Sequence, residues 1–147
     1  MSSASVHHTG LTVADIAVST RFYELLGFTR SFEEPVTLEE DWAQTVIGLE
    51  KPVLLVMFLM MGEARLELIQ FLRPQGAPAP GGASNDVGSA HLAISVSDVG
   101  AEYERLIAEG VEFVSKPVTV TGGAFAGITA VYGKDPDGNV FELINGL

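Results

Sequence analysis

Four residues of this chain have the chemistry and the placement of metal ligands: His8, Glu67, His91 and Glu142. Each His opens a repeated phrase. His8-Thr9-Gly10-Leu11-Thr12-Val13-Ala14-Asp15 is answered by His91-Leu92-Ala93-Ile94-Ser95-Val96-Ser97-Asp98, and the same offset carries Gly27 onto Gly110. Each Glu sits in a second repeated phrase, Leu66-Glu67-Leu68-Ile69 against Phe141-Glu142-Leu143-Ile144. Two copies of one half, each offering an imidazole and a carboxylate, make a scaffold that closes four ligands around one ion. The chain contains no cysteine, which excludes disulfides, thiolate zinc sites and cysteine nucleophiles. A metal must therefore be held by imidazole, carboxylate or water, and Zn, Ni, Co, Mn or Fe all suit such donors.

The elements that must position these side chains follow from periodicity. Val6 to Val13 reads as a strand, Asp15 as the N-cap of a helix with an Ile16, Val18, Phe22, Leu25, Leu26 stripe, and Gly27 as its stop. The second copy repeats this with a strand from His91 to Val96, a cap at Asp98, a Val99, Tyr103, Leu106, Ile107 stripe and a stop at Gly110. Further strands are expected at Phe28–Glu33, Thr45–Leu49, Val53–Met61 and Arg65–Phe71, with a tight turn at Gly62-Glu63. In the second half they are expected around Glu112–Ser115, Ile128–Tyr132 and Val140–Ile144, the last two flanking the turn Asp135-Pro136-Asp137-Gly138-Asn139. Each half reads as β-α-β-β-β. Residues 73–88, rich in Pro and Gly and without periodicity, form the expected linker between modules at 1–72 and 89–147. Gly122 to Gly127 reads as a flexible connecting loop or a lid.

Strand alternation places His91 with Ala93 and Ser95, and His8 with Gly10 and Thr12, on faces small enough to admit an ion or a substrate. His7, next in sequence, is expected on the opposite face. Glu67 and Glu142 are embedded in apolar strands, and a buried carboxylate is costly unless it is paired or binds a metal. A symmetric pair of such residues points to a site.

Composition narrows the partners. At 147 residues with 47% hydrophobic and 18% charged side chains, the chain can bury a core as a single domain or two small modules. A net charge of −11 with only eight scattered Lys and Arg argues against nucleic acid. The longest apolar run, Val53 to Met61, is too short for a membrane span, and no leader pattern opens the chain, so a soluble, cytoplasmic protein is expected. No Gly-rich phosphate loop, nucleophilic Ser motif or dinucleotide fingerprint is present.

At these residues the chain resembles the vicinal oxygen chelate superfamily, which includes glyoxalase I, methylmalonyl-CoA epimerase, extradiol dioxygenases and the fosfomycin and bleomycin resistance proteins. The resemblance spans nearly the whole chain. It rests on the two His openings, Phe22-Tyr23-x-x-Leu26-Gly27-Phe28, Leu66-Glu67-Leu68, and Asp135-Pro136-Asp137-Gly138-Asn139-x-x-Glu142. It implies an α+β fold of two tandem βαβββ modules whose curved mixed sheet surrounds a metal-binding cleft, a homodimer, and one divalent ion per site held by His8, Glu67, His91 and Glu142. Glu67 favours the four-ligand, glyoxalase-like and epimerase-like members over those that use two His and one Glu.

Such a site suits proton transfer next to a carbonyl: the ion stabilises an enolate or enediolate while Glu142 or Glu67 removes and returns the proton. The substrate class is a small oxygenated molecule, a sugar-like or cyclitol ketone or an acyl-CoA. Epimerisation profits from a second acid, for which Glu39, Glu40 and Asp41 are candidates, although they read first as a solvated turn, with Trp42 in the core or at the rim. An iron-dependent extradiol-type dioxygenase and a sequestering resistance protein are the competing readings.

Overall fold

The computed structural model describes residues 3–77 and 83–146. The chain divides into two compact units, Met1–Pro78 and Ala79–Leu147, each an α+β module with its own five-stranded mixed sheet.

The first module begins with β1 (Thr9–Thr12) and α1 (Ile16–Leu25). The Asp15 carboxylate caps α1, accepting from the Ala17 and Val18 amides at 2.9 and 3.0 Å, and Gly27 leaves the helix at φ +98°, a conformation that glycine adopts without strain. There follow β2 (Thr29–Arg30), β3 (Val36–Leu38), α2 (Asp41–Ile47), β4 (Val53–Met61) and β5 (Ala64–Arg73). β5 is central, parallel to β1 on one side and antiparallel to β4 on the other. α1 packs on β4 and β5, and the side chains beneath it, Met57, Leu59, Leu66 and Leu68, are buried. Glu67, lying between Leu66 and Leu68, is thereby turned to the other face of the sheet.

The second module repeats the plan with β6 (His91–Ser95), α3 (Val99–Ala108), β7 (Glu112–Phe113), β8 (Val118–Thr119), β9 (Thr129–Lys134) and β10 (Val140–Asn145). Asp98 caps α3 through the Ala101 amide at 2.9 Å, and Gly110 leaves it at φ +83°. Beneath α3, Phe141 and Leu143 are buried, and Phe113 links Tyr103 to Phe141 with ring centroids at 4.8 and 5.6 Å. Room for Phe141 depends on Gly133, where a Cβ would lie 2.4 Å from the ring.

Three expectations are corrected. Thr45–Leu49 is not a strand but the end of α2 and its Gly48 stop, at φ +76°. The β-branched Thr45, Val46 and Ile47 favour a strand locally, but burial of Ala43, the acidic Asp41 in the first turn and the left-handed Gly48 carry the segment into a helix. The strands expected at Phe28–Glu33 and Glu112–Ser115 shrink to β2 and β7, because each outer strand is built in two pieces. β2 and β3 both pair with β4, and β7 and β8 both pair with β9. Pro35 and Pro117 immediately precede the second pieces, where a residue without an amide hydrogen interrupts the ladder. His7 and His8 precede β1, so strand alternation does not govern them. The linker expected at 73–88 lies partly outside the described residues; of those described, Arg73 still belongs to β5, and Asp86 accepts from the Ala83 amide at 2.8 Å.

Candidate functional site: two His and Glu pairs

Parallel pairing sets the geometry in both modules. In the first, Gly10 is the register partner of Glu67, which brings His8 Nε2 to 3.1 Å from Glu67 Oε2. In the second, Ala93 is the partner of Glu142, His91 is the partner of Val140, and His91 Nε2 lies 3.2 Å from Glu142 Oε2. The carboxylates are the sheltered members, 17% and 14% exposed, against 35% and 43% for the imidazoles. Neither Glu is the solvent-facing residue of an outer strand. The small residue between each His and Glu matters: a Cβ at Gly10 would already lie 3.4 Å from Glu67 Oε2.

The donors fit a divalent ion. Two bonds of about 2.0 to 2.2 Å meeting at roughly tetrahedral to right angles set an N and an O donor about 2.8 to 3.6 Å apart. Both pairs fall in that interval. Among the described residues no cluster of three or more such side chains comes together; each module by itself pairs one His with one Glu.

The surroundings of the pairs differ. Phe58 is the register partner of Glu67 on β4, with its ring edge-on to His8 at 5.5 Å. Tyr132 is the register partner of Glu142 on β9, 5.0 Å from the His91 ring, with its hydroxyl 3.5 Å from Nε2. In the first module His7 Nδ1 lies 2.7 Å from His8 Nδ1, and Arg65 Nη1 lies 3.0 Å from His7 Nε2. Because the guanidinium only donates, neutral His7 carries its proton on Nδ1 and donates to His8, whose own proton then sits on Nε2 and points to Glu67. His7 is thus a partner of the candidate ligand, where alternation had placed it on the opposite face. No second His precedes His91, which follows Ala90.

Gln70 and Asn145 hold the corners. Gln70 Oε1 accepts from the Ile16 amide at 2.9 Å, and Asn145 Nδ2 donates to the Ser97 carbonyl at 3.3 Å, each tying the end of a Glu strand to the start of a helix. Asp135 does the same for the last hairpin, accepting from the Asp137 and Asn139 amides at 3.0 and 2.8 Å.

Glu39, Glu40 and Asp41 lead into α2, with Glu40 as its N-cap residue and Asp41 in its first turn, and Trp42 is 55% exposed rather than in the core. Met57 is an ordinary buried strand residue. The Gly122 to Gly127 loop is closed by hydrogen bonds from the Gly127 amide to the Val120 carbonyl and from the Ile128 amide to the Phe125 carbonyl, at 2.8 and 3.2 Å. Phe58, Tyr132 and Arg65 escaped the sequence. The two hairpins turn over unequal lengths, so a constant offset does not superimpose β4 on β9.

Duplicated α+β modules, each with a His on its first strand or just before it and a Glu on its last, define the class of protein. The chain belongs to the Glyoxalase/Bleomycin resistance protein/Dioxygenase superfamily, whose family model matches residues 5–143. It is 32% identical over 148 residues to a 2-epi-5-epi-valiolone epimerase from an Actinomyces species, covering 97% of this chain and 80% of that one. A virulence protein of Salmonella typhimurium is 30% identical over 140 residues, with 94% and 81% coverage. Among solved structures, a glyoxalase family protein from Bacillus cereus superimposes with a TM-score of 0.84 over 98% of this chain and 95% of that one, at 22% identity. Among the described residues no helix is long and apolar enough to cross a membrane.

Proposed function

We propose that this protein is a metal-dependent epimerase or isomerase of a small oxygenated substrate, with His8, Glu67, His91 and Glu142 as the ligands of one divalent ion. The observation that carries the reading is the twin His and Glu pair, at 3.1 and 3.2 Å, built at the same register of both modules. Such an ion supplies Lewis acidity to a carbonyl oxygen and so acidifies the neighbouring carbon. The chain supplies the proton transfer. Glu142 or Glu67 takes the proton from that carbon and returns it, to the opposite face in an epimerase or to the adjacent carbon in an isomerase. Their half-buried setting favours return of that proton over its loss to water. The epimerase relative supports this reaction class and makes 2-epi-5-epi-valiolone the first substrate to try. Both modules belong to one working unit, and a homodimer is the expected assembly.

The test is ion uptake by chelator-stripped protein, followed by proton exchange of 2-epi-5-epi-valiolone with deuterated water. Uptake of one ion per site, lost in both His91→Ala and Glu67→Ala, with exchange at the carbon beside the carbonyl, is the expected result. Tight iron binding retained in Glu67→Ala, with oxygen consumption, would instead indicate the dioxygenase. Absence of specific uptake by the wild type would leave a sequestering protein.

A further inference from the structure

Gln70 and Asn145 do the same work in the two modules, each tying the end of a Glu strand to the start of a helix. The residues that follow them differ: Phe71 after Gln70, Gly146 after Asn145. Gly146 is required by the fold. Its φ is +94°, and a Cβ there would lie 2.9 Å from the Gly127 carbonyl oxygen and 3.2 Å from Ile128 Cα. An amide side chain needed for the corner and a glycine needed for the close approach together make an Asn-Gly sequence. Asparagine is among the chemically labile residues, and a following glycine has no side chain to hinder attack by its own nitrogen on the asparagine side chain.

The chain has three asparagines, Asn85, Asn139 and Asn145. Asn139 is followed by β-branched Val140 and is held by Asp135 Oδ2 at 2.9 Å, and Asn85 is followed by Asp86. Asn145 is the last residue of β10 and only half-buried, and Nδ2 is held by a long bond of 3.3 Å. Strand ends open more readily than the ladder behind them. Gly146 lies beyond the ladder and is exposed, and its amide has no recorded acceptor among the described residues. Asp137-Gly138 offers a similar backbone, but the Gly138 amide donates to the Asp135 carbonyl at 3.0 Å, and a carboxylate is a poorer electrophile than an amide.

We propose that Asn145 is a site of spontaneous deamidation, through which this protein ages at one defined corner. The Gly146 nitrogen loses its proton to base and attacks Asn145 Cγ; the bond from Cγ to Nδ2 breaks, ammonia leaves with a returned proton, and a succinimide remains. Water opens that ring at either carbonyl, giving Asp or isoaspartate, so an amide and one water become a carboxylic acid and ammonia. Either product faces the Ser97 carbonyl with a carboxylate in place of a donor, and the tie between β10 and the start of α3 is lost. The first module is spared, because glutamine closes such a ring less readily and Phe71 crowds it.

Wild type, Asn145→Gln and a synthetic peptide spanning residues 140–147 are aged in warm, mildly alkaline buffer, then followed by ion exchange and by mass spectrometry with fragment sequencing. The expected result is a growing acidic form of the wild type, in which the mass change from amide to acid lies at Asn145 and its peptide splits into two isomers. The form should appear faster at higher pH, since the attacking nitrogen must lose its proton, and be absent from Asn145→Gln, which keeps the amide. Asn145→Asp, made directly, should lower the urea midpoint relative to wild type. An intact Asn145 in the folded protein after the peptide has fully converted overturns the proposal, because the ladder would then protect the site. First appearance of the mass change at Asn85 or Asn139 also overturns it, and an unchanged midpoint in Asn145→Asp overturns the loss of the corner.

Discussion

In both modules a His and a Glu meet at nearly the same separation, yet they meet in different company. The first pair has Gly10 beneath it, the phenyl ring of Phe58 beside it and the His7 and Arg65 chain behind it. The second has Ala93, the phenol of Tyr132 and no second imidazole before it. What the modules share is set by backbone pairing: a parallel register that puts the residue two after His opposite Glu. What differs is carried by single side chains that the register leaves free to change. The pair geometry is thus a property of the duplicated sheet, and the difference between the pairs is a property of their neighbours.

The comparison breaks most severely if the pairs do not act together. Removing one proposed ligand from either module, Glu67→Ala or Glu142→Ala, should lower divalent-ion affinity at least about 100-fold, because even supporting groups around a metal are worth 10- to 100-fold. Competition with a chelating dye measures this. A loss confined to variants of one module would assign the ion to that module alone.

Next in size is Gly133→Ala. A methyl group there meets the Phe141 ring at 2.4 Å and the Glu112 carbonyl at 3.1 Å, so the second module should lose about 1 to 3 kcal/mol in urea denaturation. Gly10→Ala gives the first module the residue that the second already has at Ala93. Its Cβ would stand 3.4 Å from Glu67 Oε2, and stability should change by less than about 1 kcal/mol. A larger loss would show that the two sheet faces are less alike than their register.

Arg65→Ala tests the feature found in the first module only. With Arg65 donating to His7 Nε2, a neutral His7 donates from Nδ1 to His8, which leaves a proton on the His8 Nε2 proposed as a ligand. Removing the guanidinium lets His7 accept from His8 Nδ1, the arrangement that suits a ligating imidazole. Ion affinity should rise by up to about tenfold. A fall in affinity would mean that Arg65 supports the ligand instead of opposing it. The smallest effects belong to the helix caps. Asp15→Ala and Asp98→Ala should each cost about 1 kcal/mol in thermal melts, with Asp15 the larger, since it holds two amides and Asp98 one.

The repeat, the four candidate ligands, both capped helices, the β4 and β5 hairpin and the family were determined by the sequence alone. Each rests on signals local to a few residues: a continuous apolar run in β4, apolar residues on either side of Glu67 in β5, an Asp before an apolar stripe, a glycine after it, and phrases long enough to align with each other. Only the tertiary structure decided the rest. It turned Thr45, Val46 and Ile47 into helix, because burial of Ala43 outweighs β-branched preference. It split each outer strand in two along a longer neighbour. It chose Phe58 and Tyr132 as the neighbours of the carboxylates, and brought Arg65 to His7 across 58 residues of sequence. Those contacts depend on turn length and on register between strands far apart in the chain, quantities that hydrogen-bonded pairing fixes and residue order does not.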